Sequence, residues 1–172
     1  MEQVKWFDRS FDFSSIQNTF PSILERLSGT PARLEEKLSM LHLDILSLRV
    51  GDSWTIKENI GHLADLEPLW QGRFQDIING QAELRPADLS NRKTDLAGHD
   101  QFSLEALLLS FRQARTHTLQ LLENFTEDLV YKSALHPRLK TPMRSIDMCL
   151  FIAEHDDHHL ARITALNRQL LL

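Results

Sequence analysis

His155 and His159 stand four residues apart in the run EHDDHH. On an α-helix that spacing points both imidazoles the same way, with Cβ atoms about 6 Å apart. It suits two ligands of one metal ion, as in the H-x-x-x-H of zinc metalloproteases. The two histidines interrupt an otherwise apolar series, Met148, Ile152, Ile163, Leu166 and Leu170, whose steps of three and four follow one helical stripe. A buried polar group without a partner costs about 1–3 kcal/mol, and one ion would satisfy two at once. On spacing alone the plainer reading stands beside it: core histidines bonded to carbonyls, or a polar end to the seam at a solvated cleft. His158, about 100° round the helix from His159, reads as a rim residue.

A third ligand must come from elsewhere, and His62 is the best placed. It falls mid-helix, at the edge of the apolar arc of Ile56, Leu63, Leu66, Trp70, Phe74 and Ile77. His42 and His117 read as solvated; His99 and His136 fall in loops and could approach the site, but no period fixes them. Glu58 and Asp65 lie one turn either side of His62 and are candidates for orienting ligands or moving protons. Glu58 is equally explained as a capping residue, and Asp65 as a solvated acid. Arg73, three turns on, is a candidate to bind an anionic substrate or to sit in a structural ion pair. Other chemistries leave no trace: there is no Gly-rich phosphate loop, no G-x-S-x-G and no Cys–His pairing. H-E-x-x-H is absent as well, since His155 is followed by Asp156, which argues against a protease.

Four helices must position these residues. The first spans about residues 20–41, with a kink or break expected at Gly29 and Pro31. The second opens on the capping box Thr55-x-x-Glu58, with Trp54 as a staple residue, and stops at Asn79-Gly80. Residues 80–102 carry no period, as a long crossover loop of a bundle would. Ser103 caps the third helix, and the fourth spans about residues 145–170. Between them HPRLKTPMRS reads as a linker, and no strand is expected. The lead-in, residues 1–19, is expected to pack Trp6, Phe7, Phe11 and Phe13 onto the body.

The 172 residues favour a single domain spanning 1–172. A net charge of −5 argues against a nucleic-acid partner. No apolar run approaches the roughly 20 residues of a membrane span, and no secretory signal opens the chain. The lone Cys149 fits a reducing, cytoplasmic setting.

Residues 54–73, WTIKENIGHLADLEPLWQGR, and 136–163, HPRLKTPMRSIDMCLFIAEHDDHHLARI, resemble the DinB-like superfamily, also called DinB/YfiT-like metalloenzymes. The shared core is W-[ST]-x-x-E-x-x-x-H-L-x-D followed by H-x-x-x-H, and the resemblance covers nearly the whole chain. It implies an all-α four-helix bundle and one divalent metal ion held by His62, His155 and His159. Zinc is the first expectation, with nickel or iron as alternatives. It also implies an enzyme acting on a small-molecule substrate, as a transferase using a low-molecular-weight thiol such as bacillithiol or mycothiol. The alternatives are a metal-dependent hydrolase and a non-catalytic binding or stress protein. A homodimer stays open.

Overall fold

The computed structural model describes residues 3–171. Met1 and Glu2 of the lead-in and Leu172 lie outside them. Four long helices form a bundle: α1 (Phe20–Ser39), α2 (Ile56–Ile78), α4 (Leu104–Leu122) and α6 (Ser145–Leu170). Two single-turn helices, α3 (Arg92–Leu96) and α5 (Glu127–Tyr131), lie between them. Helix α2 packs on α4 and α6, and α1 on the same two.

Local chemistry sets the helix ends. Thr55 Oγ1 accepts from the Glu58 N–H at 3.0 Å while a Glu58 carboxylate oxygen accepts from the Thr55 N–H at 2.8 Å. The reciprocal pair closes two donors that α2 would otherwise leave free. At the other end Gly80 takes φ 69°, a conformation glycine adopts without a Cβ clash. Ser103 caps α4 through the Ala106 N–H.

Helix α1 is not broken at Gly29 and Pro31 but runs through both. Pro31 has no N–H for the Leu27 carbonyl one turn back. The Arg115 guanidinium, reaching across from α4, donates to that carbonyl at 3.2 Å instead. The expected linker before α6 is also more ordered than its sequence suggests. Strands β1 (Ser133–Leu135) and β2 (Pro142–Arg144) pair antiparallel with Ala134 opposite Met143. Three-residue strands that bury one side chain each are too short to show an alternation.

Two apolar clusters make the core. One gathers Leu27, Trp70, Phe74, Met148, Phe151 and Ile152; the other gathers Leu34, Leu38, Ile60, Phe111, Ile163 and Leu166. Between them, on every long helix, lies a buried polar layer: Thr30, His62, Glu67, Arg115, Thr118, His155, Asp156 and His159. Arg115 knits one half of it. It bonds Glu67 of α2 at 2.9 Å, Asp156 of α6 at 2.6 and 3.0 Å, and Leu27 O of α1, so one guanidinium ties all four long helices. Thr30 and Thr118 complete the carboxylates' bonding.

Within the lead-in, Trp6, Phe11 and Phe13 pack against this body. Phe7 does not: it is 52% exposed, with the Arg138 guanidinium 5.3 Å over its ring. No helix among the described residues is long and apolar enough to cross a membrane.

Candidate metal centre

The other half of the polar layer is the histidine cluster. His62 from the middle of α2 meets His155 and His159 from the middle of α6, and one ring nitrogen of each lies within 4.8 Å of the other two. All three side chains are buried. Neither His99 nor His136 joins the cluster, although both are buried nearby.

Hydrogen bonds fix which nitrogen is free in two of the three rings. Asn59 gives its amide N–H to the Thr55 carbonyl at 2.8 Å, so its oxygen accepts from His159 Nδ1 at 2.9 Å. The His159 proton therefore sits on Nδ1 and Nε2 carries the lone pair. On α2 the Thr94 hydroxyl donates to Asp65 Oδ2 at 2.9 Å and so accepts from His62 Nδ1 at 2.9 Å. His62 Nε2 is left as an acceptor by the same logic. The third ring, His155, sets Nε2 3.2 Å from His159 Nε2, and its buried Nδ1 has no partner among the described residues.

These donors fit a divalent ion. Two nitrogens each about 2.0–2.1 Å from a tetrahedral zinc lie about 3.4 Å apart, close to that contact. Burial, the largest cause, pulls His62 down to about 4 and holds His155 and His159 well below the usual histidine range. Neighbouring histidines add to the effect, and Asp65 partly opposes it at His62. The rings are therefore neutral, which is the ligating form. An ion here would meet the lone pairs of His62 and His159 without first displacing a proton from either.

The other expected residues separate. Asp65 reaches His62 through Thr94 and also accepts from His99 Nε2 at 2.8 Å, so it orients a ring of the cluster. A Cβ on Gly61 would come within 2.3 Å of the His99 ring; glycine there lets the crossover lie against α2. Glu58 is occupied by its cap and by Arg49 at 2.5 Å, and it has no bond to the cluster. Arg73 is buried at the far end of the cavity described next. Thr94 and Asn59 went unread in the sequence, and His99, expected only as a loop residue that could approach, reaches Asp65 rather than the cluster. Only Asn59 carried a signal, lying one turn before the arc residue Leu63.

The cluster opens on a cavity of about 480 Å³, within the range that holds small molecules. Trp54 lies with its ring 4.6 Å from His62, and Trp6 4.9 Å from His155 at 82°. The side chain expected to staple α2 is thus turned toward the histidines, with its indole N–H on Asp95 at 2.9 Å. His158, the expected rim residue, is half-buried and lines the same cavity.

The bond through Thr94 makes a prediction. Thr94→Val removes the acceptor from His62 Nδ1 without changing the three histidines. Zinc affinity should fall about 10–100-fold, measured by competition with a chelator. An unchanged affinity would detach Thr94 from the site.

Residues 18–163 match the family profile of the DinB superfamily. The fold is shared with YfiT from Bacillus subtilis, described as a probable metal-dependent hydrolase with an unusual four-helix bundle topology. The TM-score is 0.79 at 22% identity, over 94% of this chain and 93% of that one. It is shared more distantly with the colibactin self-resistance protein ClbS, solved in complex with a dsDNA. There the TM-score is 0.68 at 14% identity, over 90% of this chain and 98% of that one. No curated protein matches the sequence.

Proposed function

Because the chain belongs to the DinB superfamily, we propose that it is a divalent-metal-dependent enzyme acting on a small molecule, with His62, His155 and His159 as its ligands. One observation carries this reading: three neutral imidazoles, two with their free nitrogen fixed by hydrogen bonds, face one another at the wall of a cavity of about 480 Å³. Three protein ligands with a position left open distinguish catalytic zinc from structural zinc. Zinc is the first choice, and imidazoles suit nickel or iron as well. When bound, such an ion supplies a nucleophile near neutral pH from water or from a thiol.

The chain's own residues do the rest. Asn59 and the Thr94–Asp65 pair hold the His159 and His62 rings in one tautomer. Trp6 and Trp54 flank the cluster and keep bulk water from it. Asp65 is a positioning residue, and Glu58 stays with the helix end. The charge of −5 and the concave, tryptophan-walled site favour a small molecule over a nucleic acid, although ClbS was solved with one.

Hydrolysis is the first reaction class, the one for which YfiT is described. Thiol transfer is the second. Cys149 is fully buried and burial pushes its thiol up, so the attacking thiol would have to arrive as a small cosubstrate. The test is a zinc-loaded sample assayed on a panel of small esters and amides, and separately on an electrophile with bacillithiol, mycothiol or glutathione. Turnover that disappears on chelation and returns with zinc is expected in one arm, and which arm decides the class. Turnover in neither, or turnover indifferent to chelation, would overturn the reading.

A further inference from the structure

The end of the cavity away from the histidine cluster holds more hydrogen-bond donors than acceptors. Arg73 lines it and is only 2% exposed. The acid that could pair with it, Asp76, is taken at both oxygens by Arg85, at 2.7 and 2.9 Å. Arg73 Nε bonds the Arg85 carbonyl at 3.1 Å, and Nη1 faces His136 Nε2 at 3.1 Å.

That last contact is not the hydrogen bond it resembles. His136 Nδ1 accepts the backbone N–H groups of Arg138 and Leu139, at 3.2 and 3.1 Å. The lone pair is therefore on Nδ1, and a neutral ring carries its proton on Nε2. Burial, then the charges of Arg73 and Arg138, hold the ring neutral by lowering it to about 4. A donor on His136 thus faces a donor on Arg73. Arg138 lines the same cavity, and its buried Nη2 has no partner among the described residues. Two guanidinium groups and an imidazole N–H meet with no acceptor among them, an arrangement a folded chain bears at a cost unless a ligand supplies one.

We infer that this end of the cavity binds an oxyanion of the substrate, a carboxylate or a phosphate, through Arg73, Arg138 and the Nε2–H of His136. The inference builds on the reading that the histidine cluster is the reacting end. His62, Leu66, Trp70 and Arg73 follow one another along a single stripe of α2, and all four line the cavity. The eleven residues from His62 to Arg73 rise about 16 Å along the helix. Apolar Leu66, Trp70 and Phe151 lie between the ends. The substrate class is therefore an amphipathic small molecule: an anionic group at one end, an apolar or aromatic body, and the bond to be attacked at the other.

Calorimetric titration of the zinc-loaded protein with benzoate, phenyl phosphate and benzamide tests this. At least one of the two anions should bind one to one, and the uncharged amide at least tenfold more weakly; the tighter anion identifies the group. Arg73→Gln and Arg138→Gln should each weaken anion binding at least tenfold with zinc still at one per chain. Arg138 is only half-buried, so its variant keeps the test open if Arg73→Gln fails to fold. In His155→Ala, stripped of metal, anion binding should stay within a few-fold of wild type. Benzamide binding as well as the anions, no anion binding at all, or Arg138→Gln binding them like wild type would overturn the subsite. Anion binding that vanishes with the metal would overturn it too, placing the anion on the ion. Zinc retained by His155→Ala would instead overturn the metal reading and leave the subsite to be judged on the arginine variants.

Discussion

His155→Ala is expected to abolish metal binding and all metal-dependent turnover while the bundle stays folded. Among the three proposed ligands this one is the cleanest to remove. Its side chain makes one hydrogen-bond contact among the described residues, with His159, and its Nδ1 has no partner among them. Removing His159 would orphan the Asn59 oxygen, and removing His62 would orphan the Thr94 hydroxyl's incoming bond. Loss of a partner that merely orients a ligand costs 10–100-fold in metal affinity, so loss of a ligand should exceed about 100-fold. The fold survives because two apolar clusters spread over four long helices hold it, and the cluster touches only the layer between them. Zinc fingers unfold without metal because they have no such core. Metal analysis with thermal denaturation separates the two effects. Zinc at about a thousand times its Kd adds about 4 kcal/mol, or roughly 8–16 °C in a domain of this size. Wild type should show that rise and His155→Ala none, while their metal-free melting temperatures agree within a few degrees. A variant that unfolds would make the ion structural, and one that stays active without metal would remove it from the reaction.

Arg115→Met is expected to be the most destabilising single change, at about 3–5 kcal/mol, because it strips the cation from Glu67 and Asp156 in a layer closed to water. It also frees the Leu27 carbonyl that Pro31 leaves unbonded. The melting temperature of metal-free protein should fall by roughly 6–20 °C. The loss should be smaller at pH 5 than at pH 8. Burial already raises Glu67 against the pull of Arg115, and without that pull it rises further. A carboxylate whose folded pKa lies above its unfolded one is stable when protonated and loses stability as pH rises through the folded value. A shift under about 2 °C at pH 8 would mean the network contributes nothing net.

The pairing of His155 with His159 was legible because helical periodicity is a strong signal, whereas His62, at the edge of its arc, was singled out by the family resemblance; the structure brings the three rings together. Residues 155 and 159 fall on one stripe of α6, and the Thr55 cap sets the phase of α2 that carries His62 inward. What surrounds the triad was hidden for the opposite reason. Thr94 and His99 stand in a stretch with no period, and they meet His62 and Asp65 only through contacts about thirty residues apart. Arg115 and Thr118 occupy the buried stripe of α4 between Phe111 and Leu122. A charged residue there gives no apolar signal; it is buried only because Glu67 and Asp156 stand opposite. Glu58 and Asp65 looked equivalent, one turn either side of His62, until the crossover placed Thr94 against one and the helix end claimed the other. The hairpin and the unbroken α1 followed the same rule. Each depends on a distant partner: β1 is held by backbone bonds to Ala82 and Leu84 as well as by β2, and Pro31 is accommodated by Arg115.

The three tryptophans of the chain, Trp6, Trp54 and Trp70, all line the one cavity. The indole emission of the protein therefore has no contribution from any other region. A paramagnetic ion such as nickel or copper held by the histidines would quench nearly the whole signal, where in most proteins of this size it would dim one emitter among several. The purified protein would thus carry its own optical reporter of occupancy, with no label needed.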